Sequence, residues 1–278
     1  FEQIINDIKL ELNIPVQCGS YSVDVNLVFG IALANSETKN LATLIRNAEV
    51  ALYAAKEHSE TSAWYSDAQE ASRLGHLSLL SDLRSAIQNN ELQMWLQPKI
   101  HLHDLRCYGF EALVRWQHPQ RGLVPPGEFI SLAEETGLIL PLGLWVLETA
   151  CTQLAAWAGK AGLENLTIAV NVSAHQFRQP DFVGQVLGVL ARTGARARRL
   201  KLELTESLLV THVEDVIAKM NLLKTHGVGF SLDDFGTGHS SLSYLQKLDI
   251  DSLKIDQSFV RNLSATSTDL VLCKAIIA

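Results

Sequence analysis

Acidic and amide side chains recur at the ends of strand-like segments in this sequence. In each segment apolar and polar residues alternate, so one face is apolar and the other ends in a residue that can bind a cation or carry a proton. The residues at these polar ends are Glu111, Asn171, Glu203, Asp233, Asp234 and Asp256. Carboxylates with one amide form an all-oxygen ligand set, which suits Mg²⁺, Mn²⁺ or Ca²⁺ rather than zinc.

The chemistry that such a set supports is displacement at phosphorus. Carboxylates at close range cannot all stay ionised without compensating positive charge, and divalent cations supply it. The adjacent pair Asp233 and Asp234 suits two ions, which together would clamp an in-line displacement. Lys254 would add a positive charge near the attacking water, and Arg115 would grip a phosphate oxygen. Any single acid has an ordinary alternative as a solvated loop end, so the prediction depends on their occurring together.

A strand–helix rhythm must bring these residues to one place. After residue 90, strand-like runs fall at 92–102, 107–116, 166–173, 200–206, 228–235 and 252–256. The helical stretches lie at 126–136, 142–157, 179–193, 213–226, 240–248 and 267–278. Repeated βα units predict a parallel sheet, open or closed into a barrel. In a barrel the polar ends of the strands converge on one mouth, where barrel active sites lie.

The first 90 residues have a different pattern. Helical spacing over 1–12 precedes a strand-like stretch at 21–33 and an amphipathic helix at 39–58. Ser66 and Gln69 then form a capping box that opens a helix reaching Asn89–Asn90. We interpret this helix, over 66–90, as a rigid linker into a larger C-terminal domain. The alternative is an ordinary surface helix of one continuous domain.

Composition excludes several classes of protein. The chain has 278 residues, of which 47% are hydrophobic and 19% charged, so it is not a disordered protein. A formal net charge of −7 argues against binding nucleic-acid polymers, which requires a basic surface. The four cysteines are widely separated and predict reduced thiols in a cytoplasmic protein. We see no apolar run near the length of a membrane span and no signal peptide, and therefore expect no membrane contact.

Five motifs resemble, in order, those of the EAL family of cyclic di-GMP phosphodiesterases. They are Gly109–Trp116 (GFEALVRW), Asn171–Ser173 (NVS), Glu203–Glu206 (ELTE), Asp233–Gly238 (DDFGTG) and Lys254–Asp256 (KID). The resemblance spans about residues 82–278 and implies a TIM-like (β/α) barrel. It also implies hydrolysis of cyclic di-GMP to the linear dinucleotide pGpG with two Mg²⁺ or Mn²⁺ ions, and a homodimer formed through the barrel.

The resemblance implies a metal-binding role for five residues of the set. Glu111, Asn171, Glu203 and Asp233 would hold the first metal ion. Asp233 would bridge to the second ion, with Asp234 beside it. Within residues 82–278 none of these ligands appears lost. The alternative is a receptor that binds cyclic di-GMP without turnover, and such a receptor would be expected to have lost a metal ligand.

Five further positions correspond to supporting residues of the family. Lys254 would orient or help to activate the nucleophilic water, and Asp256 would support that site. Glu206 would anchor the loop at 233–241. Gln97 and Arg115 resemble substrate-binding positions.

The two ends of the chain carry further expectations. Residues 1–65 resemble the C-terminal half of a GGDEF diguanylate cyclase domain, on Gly30–Leu33 (GIAL) and Leu44–Lys56 (LIRNAEVALYAAK). The Gly-Gly-(Asp/Glu)-Glu-Phe signature is absent from the chain, so we expect no cyclase activity. At the other end we expect a C-terminally truncated barrel that lacks its last two strands and the Glu and Gln that the family places there.

Overall fold

The computed structural model of the chain describes two compact units, Phe1–Ser81 and Asp82–Ala278. The described residues are 3–5, 7–8, 16–18, 21–23, 27–34, 40–57, 60–206, 208, 213–236, 248–261, 270 and 273–274. Parts of three predicted helices, over 1–12, 240–248 and 267–278, therefore lie outside the described residues.

The first unit pairs short strands and covers one pair with a helix. Its elements are β1 (Val16–Cys18), β2 (Tyr21–Val23), β3 (Phe29–Ile31), α1 (Leu41–Glu57), β4 (Ser62–Trp64) and α2 (Asp67–Ala86), whose last turns belong to the second unit. β1 and β2 are antiparallel, whereas β3 and β4 are parallel, and α1 packs on both β3 and β4. The predicted capping box is present: Ser66 N donates to Gln69 Oε1 at 2.9 Å, and Gln69 N donates to Ser66 Oγ at 3.4 Å.

The second unit follows the predicted strand–helix rhythm. Its elements are β5 (Leu92–Ile100), β6 (Cys107–His118), β7 (Gly122–Val124), α3 (Pro126–Thr136), α4 (Ile139–Trp157), β8 (Thr167–Val172), α5 (Ala174–Phe177), α6 (Phe182–Thr193), β9 (Leu200–Thr205), α7 (Val213–Thr225), β10 (Gly229–Phe235), β11 (Ser252–Ile255) and α8 (Gln257–Arg261). Every strand predicted after residue 90 is present with ends close to those expected. β7, α5 and α8 are short elements that the sequence pattern did not indicate.

The strands form one sheet in the order β11-β10-β9-β8-β6-β5, with β7 also paired to β6. β6, β8, β9, β10 and β11 are parallel, as predicted from the βα rhythm. β5 is antiparallel to β6, because the short connection between them closes a hairpin and leaves no room for a crossover. Within the part of the chain that the structure describes, β5 and β11 are the outer strands, so the closed barrel stays a prediction.

The central strands bury residues on both of their faces. On one face the apolar side chains Ile168, Leu202 and Phe230 are fully buried in the main hydrophobic core. On the opposite face Glu203 and Ser231 are at most 2% exposed. A sheet with one solvated face would leave these polar residues open to water. Glu203 and Ser231 therefore face an enclosed space in the protein, whereas Asn171 and Ser252 on the same face are exposed.

α4 is the described helix whose length and composition would allow it to cross a membrane, with a mean hydropathy of 1.4. The expectation that no segment approaches the length of a span is thus wrong for this helix. Its apolar side chains, including Val146 and Leu154, belong to the hydrophobic core. Packing in the core accounts for the apolar composition of this helix. Cys151 lies among them, and burial raises the pKa of its thiol to about 12, as in an unreactive core cysteine.

Gly109 on β6 lies where a Cβ does not fit. A Cβ built there would lie 2.2 Å from Oγ1 and 2.8 Å from the carbonyl oxygen of Thr167, its register partner on β8. Gly109→Ala must therefore separate β6 from β8, and we expect it to lower the free energy of unfolding by roughly 2–3 kcal/mol. Chemical denaturation measures this loss.

The matched control is Gly127→Ala in the first turn of α3, where a Cβ would have nothing within 4 Å. Alanine is a better helix former than glycine, so this variant is expected to be as stable as the parent or slightly more stable. Equal stability of the two variants would contradict the close approach of β6 and β8.

Candidate metal centre

Three carboxylates meet near the carboxyl ends of the parallel-paired parts of three strands. Glu111 lies on β6, Glu203 on β9 and Asp233 on β10, and one oxygen of each lies within 4.8 Å of the other two. Neighbouring parallel strands end at the same edge of the sheet, which is why residues far apart in sequence converge there. The structure thus brings together three of the four residues predicted as ligands of the first ion.

The ammonium group of Lys254 lies among these three carboxylates. Its Nζ is 2.7 Å from Glu203 Oε2, 2.7 Å from Asp233 Oδ2 and 3.1 Å from Glu111 Oε2. Burial alone would lower the pKa of Lys254, but its hydrogen bonds to Asp233 and Glu203 outweigh burial and raise that pKa above its ordinary value. Lys254 is therefore a fixed positive charge that holds the acids together.

Two more side chains bond to the outer oxygens of this group. Asn171 Nδ2 donates to Glu111 Oε1 at 2.9 Å, so the fourth predicted ligand also lies at the site. Lys99 forms an ion pair with Glu203 Oε1, and the side chain of Glu203 is fully buried. Sequence reasoning missed Lys99. The available signal was its spacing of two residues from Gln97, which places both side chains on one face of β5.

Asp234 and Asp256 lie beside the group in different ways. Asp234 has a left-handed φ of 54°, and its backbone N donates to Asp233 Oδ1 at 2.9 Å. Burial and the charges of Asp233 and Asp256 raise the pKa of Asp234. Asp256 Oδ1 accepts a hydrogen bond from Ser258 N at 2.8 Å and so caps α8, and its hydrogen bonds from Ser258 hold its pKa below the ordinary value. The left-handed backbone of Asp234 is strained, and strained backbone of this kind is typical of functional sites.

Glu206 connects the end of β9 to the end of β10. It is 5% exposed, and its Oε2 accepts a hydrogen bond from Gly236 N at 3.2 Å. Gly236 belongs to the segment 233–241 that Glu206 is predicted to anchor, and residues 237–241 lie outside the described part of the chain.

A cleft of about 300 Å³ adjoins the acids. Arg115, Asn171 and Glu203 contribute to its walls, together with apolar residues of α3 and α4. The Arg115 guanidinium lies 5.3 Å from the centre of the Trp95 ring and donates to the Val114 carbonyl oxygen at 2.8 Å. Gln97 is exposed on β5, directly opposite Glu111 in register. Arg115 therefore lines the same cleft as Glu203, and Gln97 lies opposite Glu111 on the neighbouring strand.

The residues present suit a hard divalent cation. The candidate ligands are carboxylates, and the amide of Asn171 lies beside them, so oxygen donors predominate. Asn171 uses its nitrogen toward Glu111, which leaves its carbonyl oxygen as the atom able to face an ion. The acidic group could therefore bind a metal ion.

Comparison with known protein families gives a match over the second unit of the chain. The family described as "EAL domain" matches residues 80–278. The chain is 38% identical over 265 residues to MucR of Pseudomonas aeruginosa, named a bifunctional diguanylate cyclase/cyclic di-GMP phosphodiesterase, and this match covers 95% of the chain and 38% of MucR. It is 37% identical over 278 residues to PdeR of Escherichia coli, named a cyclic di-GMP phosphodiesterase, and here the match covers 100% of the chain and 42% of PdeR. The chain thus spans about two-fifths of the length of these curated relatives.

Solved structures give the same result. The structure titled "PaMucR Phosphodiesterase, c-di-GMP complex" has a TM-score of 0.69 and 42% identity, covering 72% of this chain and 81% of that one. The EAL enzyme Bd1971 with cAMP and cyclic di-GMP bound also has a TM-score of 0.69, at 28% identity, covering 87% of this chain and 64% of that one. Through residues 80–278, the chain belongs to the EAL domain family.

Proposed function

We propose that this chain hydrolyses cyclic di-GMP to linear pGpG in a reaction that requires two Mg²⁺ or Mn²⁺ ions. The observation that carries the proposal is the convergence of Glu111, Glu203 and Asp233 within 4.8 Å around the ammonium of Lys254. The names of MucR and PdeR support the choice of substrate. Bound ions of this kind activate water and neutralise charge developing at phosphorus.

The candidate metal ligands divide into two groups in this proposal. Glu111, Asn171, Glu203 and Asp233 hold the first ion. Asp233 and its neighbour Asp234 hold the second, which the hydrogen bond from Asp234 N to Asp233 Oδ1 supports by keeping the two residues together. The presence of all five of these residues favours hydrolysis over a receptor that binds without turnover.

The remaining residues position substrate and water. Arg115, held between the Trp95 ring and the Val114 carbonyl, binds a phosphate oxygen at the cleft, and Gln97 contacts the substrate opposite Glu111. Lys254 orients the attacking water because its charge is fixed among the acids. Two further residues act by support, Asp256 by its cap on α8 and Glu206 by its bond to Gly236.

Removal of metal is the direct test of this proposal. We expect the chain to release pGpG from cyclic di-GMP in buffer with Mg²⁺ or Mn²⁺, and to lose this activity entirely in EDTA. Without the ions, nothing lowers the pKa of the attacking water or neutralises the charge that develops at phosphorus. Excess Mn²⁺ added back should restore the rate. Separation of the nucleotides by chromatography measures the product. Equal product formation in EDTA would refute the metal-dependent reaction, and tight binding with no product in either buffer would favour the receptor.

We also infer that residues 1–65 derive from the C-terminal half of a GGDEF domain, with 66–90 as a linker helix and 82–278 as the phosphodiesterase barrel. The match to MucR covers 95% of the chain, so it extends into residues before the EAL region that begins at residue 80. MucR carries a diguanylate cyclase in its name, which supports this origin. A homodimer through the barrel and a cytoplasmic location stay predictions from the resemblance and composition.

A further inference from the structure

Lys99 forms an ion pair that has no role in the proposed reaction. It lies on β5, while its partner Glu203 lies on β9, and β6 and β8 stand between these strands in the sheet. The lysine side chain therefore reaches across the polar face of the sheet. The residue directly opposite Lys99 on β6 is Gly109, which has no side chain to obstruct that path.

Glu203 needs this contact when no metal ion is bound. Its side chain is fully buried, and an ionised carboxylate without a partner is very costly at such a position. Lys254 occupies Oε2 of Glu203 but divides its charge among three carboxylates. Oε1 is paired with Lys99, whose side chain is 21% exposed and contacts this acid of the group.

We propose that Lys99 is a positioning residue that keeps the metal site assembled when metal ions are absent. It acts as an internal counter-cation for Glu203, so that the three carboxylates stay together instead of separating by mutual repulsion. This inference rests on the proposed metal-dependent function. Its consequence is that the site is preformed, and a metal ion entering it does not have to gather the acids.

A purely structural lysine and a counter-cation differ in how metal changes the effect of its removal. Loss of a structural contact lowers the melting temperature equally with and without metal. Loss of a counter-cation mainly destabilises the metal-free protein, because a bound divalent ion replaces the missing positive charge. The difference between the two melting temperatures is therefore the informative quantity.

The experiment compares Lys99→Met with the parent chain by thermal melting in EDTA and in saturating Mn²⁺. Methionine has similar length without the charge. In EDTA we expect the variant to melt about 5–10 °C below the parent, as for a buried ion pair that has lost one partner. In Mn²⁺ we expect most of this gap to close, so that Mn²⁺ raises the melting temperature of the variant more than that of the parent.

Two further variants control for charge and side-chain size. Lys160→Met makes the same charge change at an exposed position after α4 and should leave both melting temperatures unchanged. Lys99→Arg keeps the positive charge, and its rise with Mn²⁺ should match that of the parent. An identical rise with Mn²⁺ in Lys99→Met and parent, or a Lys99→Met variant unfolded in both buffers, would overturn the inference while leaving the proposed function intact. A parent chain that Mn²⁺ does not stabilise would refute the metal centre itself, and this inference with it.

Discussion

Replacement of Glu111 by glutamine is expected to lower the rate of metal-dependent cyclic di-GMP hydrolysis by about 10³-fold or more. Glu111 is one of the three converging acids, with Oε2 3.1 Å from Lys254 Nζ and Oε1 2.9 Å from Asn171 Nδ2. Glutamine keeps the size of the side chain but removes the negative charge that a divalent cation requires. Because the Glu111 side chain is 15% exposed and not fully buried, we expect the variant to remain folded.

The matched control is Glu128→Gln, which makes the same change at an exposed position in the first turn of α3. It should hydrolyse cyclic di-GMP at the parental rate. Initial rates with Mn²⁺, together with melting temperatures, separate loss of chemistry from loss of fold. A folded Glu111→Gln variant that retains a tenth of the parental rate would show that Glu111 is not a ligand of the catalytic ion.

Lys254→Met is expected to have the second largest effect, a loss of about 10²–10³-fold in turnover with binding of Mn²⁺ retained. Lys254 contacts all three acids, so it is placed to orient the attacking water, but it supplies no oxygen ligand. Removal of its charge also leaves the acids less compensated. The variant should therefore melt below the parent in EDTA and gain more stability than the parent from Mn²⁺.

The two variants give opposite results with metal, which distinguishes the two roles. Glu111→Gln should lose both turnover and much of the stabilisation by Mn²⁺, whereas Lys254→Met should lose turnover but keep the stabilisation by Mn²⁺. Melting curves over a Mn²⁺ titration, combined with product formation, measure both quantities. A Lys254→Met variant with parental turnover would remove Lys254 from the reaction and leave it only a role in charge compensation.

Local periodicity along the chain determined much of this protein's architecture. A strand repeats every two residues, so the alternation in segments such as 200–206 defined both the strand and its polar face. The βα rhythm then predicted parallel neighbours for β6, β8, β9, β10 and β11, and parallel strands end at a common edge. Convergence of Glu111, Glu203 and Asp233 follows from these two facts. The capping box of Ser66 and Gln69 was also predictable because its hydrogen bonds span only three residues.

The tertiary structure decided what depends on the order of strands across the sheet. The ion pair of Lys99 with Glu203 connects segments whose proximity no local pattern encodes. The left-handed backbone of Asp234 and the contact of Glu206 with Gly236 likewise arise where β9 and β10 end side by side. The sequence therefore determined which side chains form the acidic group. The packing of the sheet added Lys99 to Lys254 as a cation that neutralises that group, because burial and distance set the cost of every unpaired charge.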